Sequence, residues 1–112
     1  MSLAIPESWG LAPCPPPGRR CSGRDFQWPI DIIEANEAFA AQACAVTRQL
    51  ELDPAKVNPN GSGISIGHPI GATGAIISTK AIHELHRING KYALVAMCIG
   101  GGQGISAVFE RV

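Results

Sequence analysis

The chain has 112 residues and a formal net charge of zero, with only 16% charged residues. That balance leaves no Lys/Arg-rich face for nucleic acid and no polybasic patch for a membrane surface. Hydrophobic residues make up 46% but aromatics only 5%, with 13 glycines, which is the composition of a packed α/β layer built from Ala, Ile, Val and Leu rather than of a disordered chain.

Residues 1–28 read as a disordered or non-family leader. They hold five of the nine prolines, among them Pro15-Pro16-Pro17-Gly18, which favours extended or turn backbone and withholds hydrogen-bond donors. Glu7 and Asp25 spoil the acid-free amphipathic pattern of a transit peptide. Residues 29–112 are orderly. Ile32, Ile33, Phe39, Ala43, Val46 and Leu50 form an apolar stripe that predicts a helix over about Glu37 to Leu50. Asn36 stands where a short polar side chain caps the first turn. Asp53-Pro54 and Asn58-Pro59-Asn60-Gly61 are turn chemistry.

A short extended segment is expected over Gly63 to Gly67, ending at His68-Pro69, where the proline disfavours helix at the residue before it. A second helix, about Gly71 to Ile88, begins with small and apolar residues and is expected to be buried on several sides. Asn89-Gly90 stops it. Tyr92 to Ile99 is a continuous apolar run that suits a strand covered on both faces. The segment Gly100-Gly101-Gly102-Gln103-Gly104 turns the chain, and Ile105 to Arg111 alternates like an edge or penultimate strand. The order α-β-α-β-β, with a buried helix, is part of a layered α/β fold.

No apolar run reaches the roughly 18 residues of a membrane span. The four cysteines (Cys14, Cys21, Cys44, Cys98) follow no secretory segment and fit neither a disulfide scaffold nor a zinc ribbon. They read as free thiols in a reducing, cytoplasmic compartment. Cys44, among alanines, is expected in the core. His83 and His86 lie three apart on a helix but lack a third metal ligand at a sensible spacing, so they read as solvated.

Three segments carry possible chemistry. His68 sits at a strand-to-helix junction between Gly67 and Gly71, where glycines admit a close ligand and an imidazole moves protons near neutral pH. It is otherwise a structural turn histidine. Cys98 ends the apolar run before three glycines. Its thiol is either a base or nucleophile tuned by a neighbour or an inert buried cysteine, while the N–H groups after it suit an oxyanion. The glycine loop leads into a strand, so a phosphate-binding reading fails its context. Asn36, in Glu34-Ala35-Asn36-Glu37-Ala38-Phe39, reads from periodicity alone as a helix cap. An amide there can also orient a water or support an oxyanion hole.

Together, Asn36-Glu37-Ala38-Phe39, Gly67-His68-Pro69 with Gly71-Ala72-Thr73-Gly74, and Cys98-Ile99-Gly100-Gly101-Gly102-Gln103-Gly104 resemble the C-terminal motifs of thiolases, in the same order. The separations agree too, with 32 residues from Asn36 to His68 and 30 from His68 to Cys98. The resemblance implies a partial thiolase-like fold and an acetyl-CoA acetyltransferase activity. It implies CoA thioesters as substrates, no further cofactor, and either a homo-oligomer or a missing N-terminal half as partner. It further implies that His68 and Cys98 are catalytic, His68 activating the nucleophile and Cys98 acting as acid and base. Asn36, through a water, and the Gly100 N–H would serve the two oxyanion holes.

Gly71-Ala72-Thr73-Gly74 and Gln103 lean towards the biosynthetic, short-chain type. The acyl-carrying cysteine of the family has no counterpart: Cys21-Ser22-Gly23 follows a proline run instead of a strand. The chain alone is therefore expected to be inactive. The alternatives are an inactive fragment acting only with other chains, or a ketoacyl synthase relative, which the asparagine motif disfavours. Mitochondrial or peroxisomal locations also occur in the family, although Glu110-Arg111-Val112 is no Ser-Lys-Leu signal.

Overall fold

The structure, a computed structural model, describes residues 29–112, so the leader assigned to residues 1–28 and the readings of Cys14 and Cys21 lie outside the described residues. Six elements follow in order: β1 (Ile32–Ala35), α1 (Ala40–Gln49), α2 (Gly63–Ile66), α3 (Thr73–Ile88), β2 (Tyr92–Gly100) and β3 (Gln103–Glu110). The sheet runs β1-β2-β3. β1 pairs parallel to β2, with Ile32 beside Ala93 and Ala35 beside Ala96. β2 pairs antiparallel to β3, with Ala93 beside Phe109.

The strand alternation decides what each face buries. Ile32, Ala93 and Val95 meet Ile77, Ala81 and Leu85 of α3, with Met97 and Phe109 packed around them. Ile77, Ala81 and Leu85 recur every four residues, so one stripe of the helix carries the contact. Full burial of each large aliphatic side chain contributes about 1.5–3 kcal/mol. On the opposite face, Ile30, Ile33 and Leu94 form a smaller cluster with Leu52, Val57, Tyr92 and Val108. A single carboxylate fixes the register. Asp31 accepts from the Lys91 and Tyr92 N–H groups at 2.6 and 2.9 Å. The Tyr92 and then the Lys91 amide bonds hold its carboxyl below the usual carboxylate range.

The hairpin between β2 and β3 follows from its glycines. Gly100 pairs with Gln103, leaving Gly101 and Gly102 at φ of 59° and 75°. Two consecutive positive φ values are what a tight hairpin turn needs, and glycine adopts them freely. α3 ends at Asn89 in the left-handed conformation, with the Gly90 N–H bonded to the Leu85 carbonyl at 2.9 Å. Among the described residues, no helix is long and apolar enough to cross a membrane.

Several sequence expectations are corrected. The element order is β-α-α-α-β-β, because Ile32 and Ile33 belong to β1 and not to the stripe of the first helix. That helix starts at Ala40 with Phe39 at its N-cap, and no side chain caps it. Asn36 instead prolongs the β1 ladder, its N–H donating to the Ala96 carbonyl at 2.9 Å. The segment from Gly63 is one helical turn rather than extended, closed by a reciprocal pair of bonds between Ser62 and Ser65. α3 buries one stripe only: Ala75, Thr79, Ile82, His83 and His86 are exposed. Cys44 is exposed on α1, where Val46 alone is buried.

Candidate functional site

The C-terminal ends of β1 and β2 point the same way, as parallel pairing requires, and in open α/β sheets that edge is where ligands collect. Asn36 lies there, one residue beyond β1, and Cys98 and Gly100 close β2. The N-terminus of α3 reaches the same end: a Cβ placed at Gly74 would stand 3.5 Å from the Met97 sulfur. His68 precedes α3 on the loop that leaves α2. The loop brings His68 to the first turn of α3, at Thr73.

Asn36 is 2% exposed, yet neither its Nδ2 nor its Oδ1 has a hydrogen-bond partner. A buried amide left in that state costs about 1–3 kcal/mol, so a water or substrate group that fills it restores that energy. Its position is enforced from two sides. Ser62, itself buried, donates to the Ala35 carbonyl at 3.0 Å. Asn58, at φ 48°, pairs with both backbone groups of Ala35, its Oδ1 accepting at 2.8 Å and its Nδ2 donating at 2.9 Å. Glu37 accepts from the Ile64 N–H at 3.1 Å, which ties α2 to the same strand end.

His68 is exposed, but its Nδ1 lies 2.6 Å from Oγ1 of Thr73. Thr73 is buried in the first turn of α3, and its hydroxyl donates to the Pro69 carbonyl at 3.1 Å. Cys98 is a free, half-buried thiol. It follows Met97, which packs towards α3, so alternation turns Cys98 to the other face. The bulge between Cys98 and Gly100 re-aims the strand just there. Gly100 is exposed at φ 99°, and a Cβ on it would meet nothing within 4 Å.

A charged network supports the site from below. Glu34, wholly buried on β1, receives Lys80 at 2.7 Å, and Lys80 also donates to the Gly61 carbonyl. Burial pushes the Glu34 carboxyl up, and the Lys80 bond pulls it part of the way back. Glu84 accepts from Arg87 at 2.5 and 2.7 Å and from Asn60 at 2.9 Å, and these bonds hold it at about 2. Glu34, Lys80 and the Asn58 and Ser62 braces are positioning groups that sequence reading passes over. Their one visible signal is a glutamate inside an apolar strand.

His83 and His86 are exposed on α3, away from the junction. Phe39, Ile64, Ile66, Ile70 and Ile99, in or beside the three candidate segments, are all exposed.

The sequence model described as "Thiolase, C-terminal domain" matches residues 18–111. The β-ketothiolase BktB of Cupriavidus necator is 65% identical over 108 residues, covering 96% of this chain and 27% of that protein. The acetyl-CoA acetyltransferase of Bacillus anthracis superposes with a TM-score of 0.70 at 51% identity, over 72% of this chain and 21% of that one. Human mitochondrial 3-ketoacyl-CoA thiolase, solved in complex with CoA, gives 0.72 at 49% identity, over 74% of this chain and 21% of that one. The chain thus spans about a quarter of the length of the curated relatives it matches.

Proposed function

The chain belongs to the thiolase family, as its C-terminal domain, and from that premise we propose that it supplies the proton-transfer and oxyanion half of an acetyl-CoA C-acetyltransferase site. The reaction is the reversible Claisen condensation of two acetyl-CoA molecules to acetoacetyl-CoA, with CoA thioesters as substrates and no further cofactor. Family members are acyltransferases; acetyl-CoA as the substrate of this chain is our reading.

The observation that carries it is the buried, unpartnered amide of Asn36 at the sheet end that also bears Cys98 and Gly100. In this reading the Cys98 thiolate takes a proton from the methyl carbon of acetyl-CoA. The resulting enolate attacks the acyl carbonyl held as a thioester on a cysteine outside this segment. The new carbon–carbon bond forms as that sulfur leaves as thiolate. A water on Asn36, together with His68 once its Nε2 has taken a proton, receives the charge on one thioester oxygen, and the Gly100 N–H contributes to the other hole. The acyl-carrying thiol and the CoA contacts come from another segment or another chain. The exposed apolar side chains of Phe39, Ile64, Ile66, Ile70 and Ile99 support such a covering partner.

Two assays test this. Purified chain incubated with acetoacetyl-CoA and CoA is expected to form no acetyl-CoA, and robust formation would place the nucleophile within these residues after all. Second, residues 29–112 are substituted for the matching region of the Cupriavidus necator enzyme. The chimera is expected to be active and to lose about 10²–10⁴-fold in rate on His68→Ala or Cys98→Ala. An active chimera indifferent to both changes would remove the catalytic assignment.

A further inference from the structure

We propose that Thr73 is the positioning residue that fixes the tautomer of His68, holding the proton on Nδ1 and leaving the Nε2 lone pair as the group that accepts protons. The inference deepens the proposed half-site and rests on that reading for its meaning, but not for its geometry.

A threonine hydroxyl has one hydrogen to give and lone pairs to receive. Oγ1 of Thr73 lies 3.1 Å from the Pro69 carbonyl oxygen and 2.6 Å from Nδ1 of His68. Thr73 is 3% exposed, so water does not mediate either contact. If the hydroxyl hydrogen pointed at Nδ1, two oxygens would face each other at 3.1 Å with no proton between them, a repulsive arrangement that burial makes worse. Placing the hydrogen on the line to Pro69 satisfies both contacts, and Nδ1–H then donates to Oγ1. This follows the back-bonding of a helical threonine to the carbonyl four residues before it.

The arrangement also suits proton transfer. When Nε2 takes a proton from a thiol, the imidazolium carries hydrogen on both nitrogens, and Nδ1–H continues to donate to the same oxygen. Thr73 need not rotate between the neutral and charged states, so the ring keeps its orientation through the step. The local fold supplies the rest. Pro69 and Thr73 are joined by the bonds from the Ala72 and Thr73 N–H groups to the Pro69 carbonyl, at 2.8 and 2.9 Å, which hold the loop against the first turn of α3.

Ring-nitrogen NMR on the ¹⁵N-histidine-labelled chain tests this without any assay of turnover. At a pH where the ring is neutral, His68 Nδ1 is expected in the protonated, pyrrole-type range and Nε2 in the pyridine-type range. The exposed His83 and His86 serve as internal references for unconstrained rings. Thr73→Val, of similar shape, is expected to move His68 towards the reference pattern, and Thr73→Ser to retain the Nδ1–H form. Wild-type protein showing the Nε2–H form for His68, or the same His68 shifts in Thr73→Val, would overturn the assignment. The wild-type spectrum decides even if a variant fails to fold. An inactive chimera with an Nδ1–H ring would count against the proposed function alone.

Discussion

Gly63 leaves only enough room for Asn36: a Cβ added there would stand 3.0 Å from the asparagine Oδ1 and 3.0 Å from the Glu37 carbonyl oxygen. The amide therefore occupies space that a side chain at residue 63 would take. Gly63→Ala is expected to cost about 1–3 kcal/mol, the range for overfilling a packed site. Urea denaturation should show a lower midpoint at unchanged slope. A neutral outcome would mean that Asn36 is free to move.

Lys80 pairs with a carboxylate that is wholly buried. Lys80→Met leaves Glu34 buried and unpaired, and is expected to destabilise by about 3–5 kcal/mol near neutral pH. The sign of the pH dependence follows from burial. An acid whose folded pKa is raised binds more protons when folded, so the variant regains stability as pH falls through that pKa. Denaturation curves at several pH values read this directly.

Glu84 behaves in the opposite sense. Held at about 2 by Arg87 and Asn60, it stabilises the fold above the ordinary carboxylate range and loses that contribution as pH drops towards its folded value. Arg87 is largely exposed, so salt screens part of the gain. Glu84→Gln is expected to flatten the acid limb of a stability-against-pH curve. An acid limb identical to that of the unaltered chain would show that the pair contributes nothing.

Asn89 ends α3 at φ 56°. Asn89→Ala removes the short polar side chain that lets asparagine tolerate the left-handed region and is expected to destabilise, by no more than about 1–2 kcal/mol, whereas Asn89→Gly is expected to be neutral or slightly stabilising. Paired thermal melts of the two variants separate backbone strain from loss of the side chain.

The long periodic elements were legible in the sequence. The small, apolar start from Ala72 to Ile77 announces α3, the run from Tyr92 announces β2, and three glycines announce the hairpin. β1 was not, because four residues are too few to show a period and its third is a glutamate. That glutamate makes sense only beside Lys80, which lies 46 residues away. Asn36 was assigned to a cap by its distance from the helix, but the ladder bond to Ala96 outcompetes that role. Two of the three motifs, those of Asn36 and Cys98, lie at the C-terminal ends of β1 and β2. The groups that brace them, Asn58, Ser62 and Thr73, act through contacts that residue spacing does not reveal.

The parallel pairing of β1 with β2 also sets when these groups come together. Asp31 and Tyr92 are 61 residues apart in the chain, so closing that register carries the entropic cost of a long loop before its contacts repay it. The β2–β3 hairpin has no such cost and can form early. Cys98 and Gly100 therefore take their local shape from a nearby turn, while Asn36 reaches Ala96 only through the long-range pairing of β1 with β2. A partly folded chain would keep the hairpin that carries Cys98 while lacking the pairing that places Asn36 beside Ala96.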